Sequence, residues 1–522
     1  MNKFSRTARS VTFAAIVGLS LGVVGPGMVA VPVFAQSVNK ANIDFQKADG
    51  SITVNKILNP TKTNEPVANG NALTGEQIEQ LGGKKARGIN FTATKIDMKL
   101  TNNEEFQALV DAVESDRKND YKNLPLVSDV KKMETNEQGQ AKFDGLAVGA
   151  YLIKEGAVNS NNTNLTEDEQ AGLAPSKPFV VFVPMTNPEK RDEWNYHPQV
   201  FPKNSSAQIT KKVEDKEKYK VGDSVSYTIE STVPAPADGK KLFKYIVKDT
   251  PDEKLKYTPK SAKLQIQRAN QGGTVALTDE QDYKEVIGEN RQISWIFTED
   301  GLRKLVEAGL GAKVVTTLEA KLEKVGESNG DYVNKPDLTF NNFSDQESDD
   351  KNVPGKEVVT KMAKLKVLKK GEGDDAEKLN GAVFELYRCT DKKNLLGTKL
   401  NVGGQDSWIT AGDGTFTIDG LKVSDWADGA KVDSEYKYCL VETTAPKGYE
   451  LLPEPVEIDF TEDAAHVESR DIAMVSKEIK NVKDVTPELP MTGGAGVGIL
   501  AAIGAAIIGA GAWFARRNSA EA

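Results

Sequence analysis

Apolar and polar residues alternate with a period of two in short runs along most of the chain. "SITVNKIL", "SVSYTI", "LFKYIV", "QISWIF" and "AVFELY" are the clearest, each bounded by polar, glycine-bearing turns. Side chains at i and i+2 of a strand share a face, so the pattern predicts half-buried strands and an all-β chain built of sandwiches. Two stretches break the period. Phe106, Leu109, Val110 and Val113 recur at helical spacing, as do Leu302, Leu305 and Val306, and each segment is expected to form an amphipathic helix packed across a sandwich. The order "ITVNK" then "FDGLAVGAYLIKE" in the first third returns in the last third as "LKVLK", "TIDGLKV" and "YKYCLVE". The middle third lacks it. Duplicated first and last domains around a distinct middle one are therefore expected, spanning 36–204, 205–353 and 354–485, with the second boundary in the acidic "SDQESDDKNVPG".

The two ends read differently. Lys3, Arg6 and Arg9 precede the apolar "VTFAAIVGLSLGVV", and Val33 and Ala35 supply small residues for cleavage, so 1–35 is expected to be an export signal. At the other end, in 486–522, "PELPMTGG" is followed by an apolar run over 495–515, long enough to span a membrane, and then by Arg516 and Arg517.

Composition removes several functions. With 522 residues the chain has room for about three domains, and a formal charge of −9 leaves no basic surplus for a nucleic acid. Only two histidines, His197 and His466, and two cysteines are present, too few for metal clusters or for Cys/His or Ser/His catalysis, so no metal and no cofactor are expected. The acidic "GEGDDAE" reads as a solvated charge run. Cys389 and Cys439 share the last domain of an exported chain, and a disulfide between them is expected.

Parity along the strands puts several polar residues on the apolar face. Lys56 aligns with Ile52 and Val54, Lys211 with Ile209 and Val213, and Lys369 with Leu365 and Val367. Glu155 aligns with Tyr151 and Ile153, Asp249 with Tyr245 and Val247, and Glu442 with Leu440. Asn204 aligns with Val200, Asn334 with Leu338 and Phe340, and Asn481 with Ile479. Any one such lysine is explained by a side chain that reaches back to water. Three repetitions of lysine, acid and asparagine in one order suggest chemistry instead. Burial favours a neutral amine and a protonated carboxyl, the amine is a nucleophile toward the carboxamide, and the product is a Lys–Asn isopeptide bond with loss of ammonia.

Several motifs carry a resemblance. "LPMTG" with its apolar run and basic tail resembles the sorting signal of Gram-positive surface proteins; "YCLVETTAPKGYELL" resembles the E-box of Gram-positive pilins, "EWNYHPQVFPKN" resembles their pilin motif, and "PFVVFVPMTNP" before it resembles the corresponding segment of their shaft subunits. Together these resemble the sortase-assembled shaft pilins of the corynebacterial Spa type. The resemblance implies three tandem immunoglobulin-like sandwiches, CnaB-like, CnaA-like and CnaB-like. It implies bonds from Lys56 to Asn204, Lys211 to Asn334 and Lys369 to Asn481, promoted by Glu155, Asp249 and Glu442. Cleavage between Thr492 and Gly493 by a class C pilus sortase would pass Thr492 to Lys203 of the next identical subunit, and a housekeeping sortase would attach the fibre to peptidoglycan. Minor tip and base pilins and a host surface are the further partners implied. Phe201 and Pro198 depart from the usual pilin motif, but neither removes the Lys203 amine. A monomeric wall-anchored adhesin, which has no need of Lys203, is the nearer alternative; a secreted enzyme would need the three acids in one cleft.

Overall fold

The computed structural model describes residues 42–484, apart from 60–68, 205, 237–240, 270–271, 310 and 374–375, and the side chains of Lys203 and Asn204 are also outside the description. The expected export signal, and the sorting signal with Thr492, Gly493 and 495–515, lie outside the described residues. Among the described residues no helix is long and apolar enough to cross a membrane. Two compact units are present, the first comprising Met1–Ala363 with Gly420–Asp433 and Arg470–Ala473, the second Lys364–Asp419, Ser434–Ser469 and Met474–Ala522.

The first unit contains two sandwiches. In the N-terminal one, the strand Gly50–Asn55 pairs with Gln140–Leu146 on one side and, in parallel, with Gln199–Val200 on the other. Facing it is a four-stranded antiparallel sheet in the order Leu126–Glu134, Ile89–Ile96, Gly149–Val158, Phe179–Val183. Ile52, Val54, Phe91, Phe143 and Ile153 fill the space between. The helix Asn103–Asp116 forms where its spacing predicts. It buries Leu109 and Val113 with Ile96, Leu152 and Phe182, and Phe106 meets Phe182 edge-on at 5.9 Å between ring centroids. Asn102 caps it, accepting from Glu105 N.

The middle sandwich packs the sheet carrying Ile209–Glu214, Ser224–Thr232 and Lys313–Leu322 against the one carrying Ile293–Phe297, Lys244–Pro251 and Asp331–Asn341. Its core holds Tyr227, Tyr245, Trp295, Tyr332 and Phe340, and the second expected helix, Glu299–Ala308, adds Leu302 and Leu305. This sheet runs past residue 353. Lys351–Pro354 pairs with the strand Asp331–Asn341, and the same strand then pairs with residues 358–361.

In the second unit, residues 364–370 run parallel to Met474–Lys480, and Val383–Asp391 pairs with Lys437–Thr444, which pairs with Val456–Ile458. Leu365, Val367, Phe384, Tyr438, Leu440 and Phe460 are buried. The Cys389–Cys439 disulfide joins the two neighbouring strands, with Cα atoms 5.9 Å apart.

Three short helices escape the periodicity argument, which needs more than two turns. Gly75–Leu81, Glu167–Ala171 and Glu462–Ala465 each follow a threonine cap, and Thr74 with Gln77 and Thr166 with Glu169 form reciprocal capping boxes.

Candidate functional site

A lysine ammonium buried without a partner would be expelled or neutralised, so its surroundings report what the site is for. In the N-terminal sandwich Lys56 follows the strand Gly50–Asn55, and its Nζ donates to Glu155 Oε1 at 2.7 Å and Oε2 at 2.8 Å. Both side chains are fully buried. Glu155 Oε2 also accepts from Ser176 N at 2.8 Å and Ser176 Oγ at 2.7 Å, which fixes the carboxyl. Burial lowers the Lys56 pKa, with Glu155 acting in the opposite sense. The strand Lys203–Asn204 lies parallel to Ile57–Leu58, with Lys203 opposite Ile57 and Asn204 opposite Leu58, so the backbone carrying Asn204 lies beside the segment that follows Lys56.

In the middle sandwich Lys211 comes from the first strand of one sheet and Asp249 from the facing sheet, and the two side chains form a fully buried ion pair. Asn334 stands opposite Pro251 on the strand next to Asp249, and it is wholly buried. Burial pushes the Lys211 pKa down to about 8 and pushes that of Asp249 up. Both shifts favour the uncharged forms. Asp249 Oδ2 and both side-chain polar atoms of Asn334 find no hydrogen-bond partner among the described residues.

In the second unit Lys369 lies opposite Ile479 in the parallel pair, and Asn481 follows two residues later, its N–H donating to Lys370 O at 3.0 Å. Lys369 Nζ is 3.1 Å from Glu442 Oε1 and donates to Asn481 Oδ1. Asn481 Nδ2 donates to both Glu442 oxygens, at 3.0 and 2.9 Å, and to Glu450 O at 2.9 Å. Burial again lowers the lysine pKa, against the pull of Glu442. Here the amine, carboxyl and carboxamide stand in mutual contact.

Two features were not anticipated from sequence. An aromatic ring lies near each ammonium: Phe91 at 5.9 Å from Lys56, Tyr227 at 4.5 Å from Lys211 and Phe384 at 5.3 Å from Lys369. Strand parity marks these residues as core and says nothing more. The second is a further buried lysine of the first unit, Lys422, whose Nζ donates to Asp215 Oδ1 at 2.8 Å and Asp215 O at 2.6 Å. Asp215 also accepts from Thr360 Oγ1 at 2.5 Å and Asp428 N at 2.7 Å. With a lysine, a hydroxyl and a backbone N–H all donating to it, the Asp215 carboxylate suits a plain ion pair.

Comparison with known proteins places the whole chain. A model of the Gram-positive pilin subunit D1 N-terminal domain matches residues 47–205, and a prealbumin-like fold domain model matches 363–472. The fimbrial subunit type 1 of Actinomyces viscosus is 31% identical, with 98% of each chain covered, and the type 2 subunit of Actinomyces naeslundii is 28% identical, covering 94% of this chain and 92% of that one. The full-length major pilin SpaD of Corynebacterium diphtheriae superimposes with a TM-score of 0.69 at 31% identity, covering 85% of this chain and 100% of that one. Tandem immunoglobulin-like sandwiches, the strand pattern, and full-length likeness to fimbrial subunits together establish that this chain belongs to the family of Gram-positive sortase-assembled major pilins of the Spa type.

Proposed function

We propose that the protein is the repeating shaft subunit of a covalent, cell-wall-anchored pilus, in which Thr492 of one subunit is joined to Lys203 of the next. In this reading three sandwich domains, two CnaB-like around one CnaA-like, each carry a Lys–Asn isopeptide bond: Lys56 to Asn204, Lys211 to Asn334 and Lys369 to Asn481. The observation that carries it is the third cluster, where a buried lysine amine, a buried carboxyl and a buried carboxamide bond to one another, with backbone groups of Glu450 and Leu452 completing the site. The neutral amine attacks Cγ of the asparagine, the C–Nζ bond forms, and the carbonyl oxygen takes up the electron pair. The acid relays a proton from Nζ to Nδ2, the C–Nδ2 bond breaks, and ammonia leaves. Glu155, Asp249 and Glu442 are returned unchanged. The protein is then a substrate of sortases and a self-cross-linking structural subunit, with no turnover of its own.

A shaft needs such bonds. A pull between Lys203 and Thr492 would otherwise be carried by hydrogen-bond ladders, each bond contributing about 1 kcal/mol net. One amine and one threonyl carboxyl per subunit give a head-to-tail polymer without closure, anchored to peptidoglycan at its base and carrying minor pilins that meet the host surface. Intact-mass measurement of the purified ectodomain tests the cross-links, with one ammonia lost per bond. A mass equal to the sequence mass, after allowance for the disulfide, rejects them.

A further inference from the structure

The middle cluster differs from the other two in two ways. Its acid is an aspartate, one methylene shorter than Glu155 and Glu442, and its aromatic ring carries a hydroxyl where Phe91 and Phe384 carry none. These differences bear on one another. At the third site Glu442 reaches the lysine and also accepts from the carboxamide of Asn481. Asp249 reaches Lys211 through Oδ1, while its Oδ2 stays without a partner among the described residues. Asn334 Oδ1, Asn334 Nδ2 and Tyr227 Oη are likewise without a partner among the described residues, and all are buried. Asn334 lies on the strand that pairs with the one carrying Asp249, and the Tyr227 ring is 4.5 Å from the Lys211 Nζ that Asp249 holds. The four atoms are complementary: Tyr227 O–H is a donor for Asn334 Oδ1, and Asp249 Oδ2 an acceptor for Asn334 Nδ2.

Resting on the cross-link reading above, we propose that Tyr227 is the positioning residue of the middle site, its hydroxyl donating to Asn334 Oδ1 and so turning Asn334 Nδ2 toward Asp249. The geometry explains why a tyrosine belongs here. A carboxamide flipped the other way would place its nitrogen against a phenol and its oxygen against a carboxyl, and the leaving amide nitrogen would lie away from the acid that must protonate it. Held the right way, Asn334 presents Cγ to Lys211 with Nδ2 beside the proton source. The hydroxyl then also faces the oxygen on which negative charge develops during attack, where an aligned donor is worth far more than in the ground state. Tyr227 keeps its proton throughout; burial, with the charges of Asp249 and Asp215, raises its pKa.

The test is Tyr227→Phe, which deletes one oxygen and leaves the ring under Lys211. Full ectodomain is sampled over time after synthesis, digested, and assayed by mass spectrometry for the Lys211–Asn334 linked peptide, with the Lys56 and Lys369 linkages as internal clocks. The middle linkage is expected to form at least tenfold more slowly, while the other two keep their wild-type rates. Melting of Lys211→Ala is compared with that of Lys211→Ala/Tyr227→Phe, where no linkage is possible. Equal melting is expected for a residue that acts by orienting Asn334. Wild-type speed in Tyr227→Phe, or a fall in melting within the Lys211→Ala pair large enough to account for slowing, overturns the proposal, as does a variant that fails to fold. Absence of the linked peptide from wild type instead overturns the cross-link reading on which it rests.

Discussion

Replacing Lys369 by methionine removes the amine of the third cluster and leaves an unbranched apolar side chain in its place. Glu442 keeps Asn481 Nδ2 and Leu452 N as donors, so no bare carboxylate is created. The loss should therefore be close to that of the cross-link itself. Lys369 and Asn481 are 112 residues apart, and closing a loop of that length stabilises by about 5 kcal/mol in the chain-entropy model. The Cys389–Cys439 disulfide, with a separation of 50, lies inside this loop and shortens the chain that remains free, which reduces the figure only to about 4 kcal/mol. For a domain of this size each kcal/mol moves the melting temperature by about 4 °C or more, giving a fall of about 15 °C. Scanning calorimetry of the ectodomain, with intact mass on the same sample, should show this fall in the transition of the second unit and one ammonia fewer lost. A variant that melts within about 5 °C of a wild type shown to carry the bond would refute the reasoning.

Other outcomes follow from the same contacts. Asn334→Ala cannot form the middle bond and retains a buried Lys211 whose pKa lies at about 8, below the ordinary value of 10.5. Between those values the unfolded chain binds more protons than the folded one at this lysine, so the stability of this variant should rise with pH across that window; a fall across the window in melting curves contradicts the assignment. Lys422→Ala leaves Asp215 buried without its cation and should destabilise the first unit by about 3 to 5 kcal/mol, measured by denaturant unfolding, whereas a loss under about 1 kcal/mol would mean that the ion pair is dispensable. Removing the disulfide by Cys389→Ala/Cys439→Ala should cost about 4 kcal/mol when Lys369 is also replaced, and less when the outer cross-link is present, because the loops overlap. Equal costs in both backgrounds would contradict that nesting.

The buried lysines were legible because each interrupts an apolar strand face whose other members are unambiguous: Ile209, Lys211 and Val213 are all buried, with exposed residues between them. Lys422 gave no such signal. Leu421 and Val423 beside it are also buried, so neither face of that segment is polar and parity has nothing to measure against. The boundary near 353 was read from composition, yet the acidic stretch is a turn within the sheet, where Glu347–Asp349 forms a single 3-10 turn before Lys351–Pro354 pairs again. Polar turns inside a domain and polar linkers between domains look alike in composition. The role of Tyr227 was also beyond reach, since it depends on which atoms remain unpaired once strands distant in sequence are packed face to face.

The proposed shaft stands or falls on covalent joining of subunits through Lys203. Cell-wall extracts of the native host, boiled in detergent and probed by immunoblot, test it by comparing wild type with Lys203→Ala. Wild type should give a ladder of very large species that collapses to monomer in the variant. A single monomer band in wild type would contradict it and leave a monomeric wall-anchored adhesin, and an unchanged ladder in the variant would assign the linking amine to another lysine.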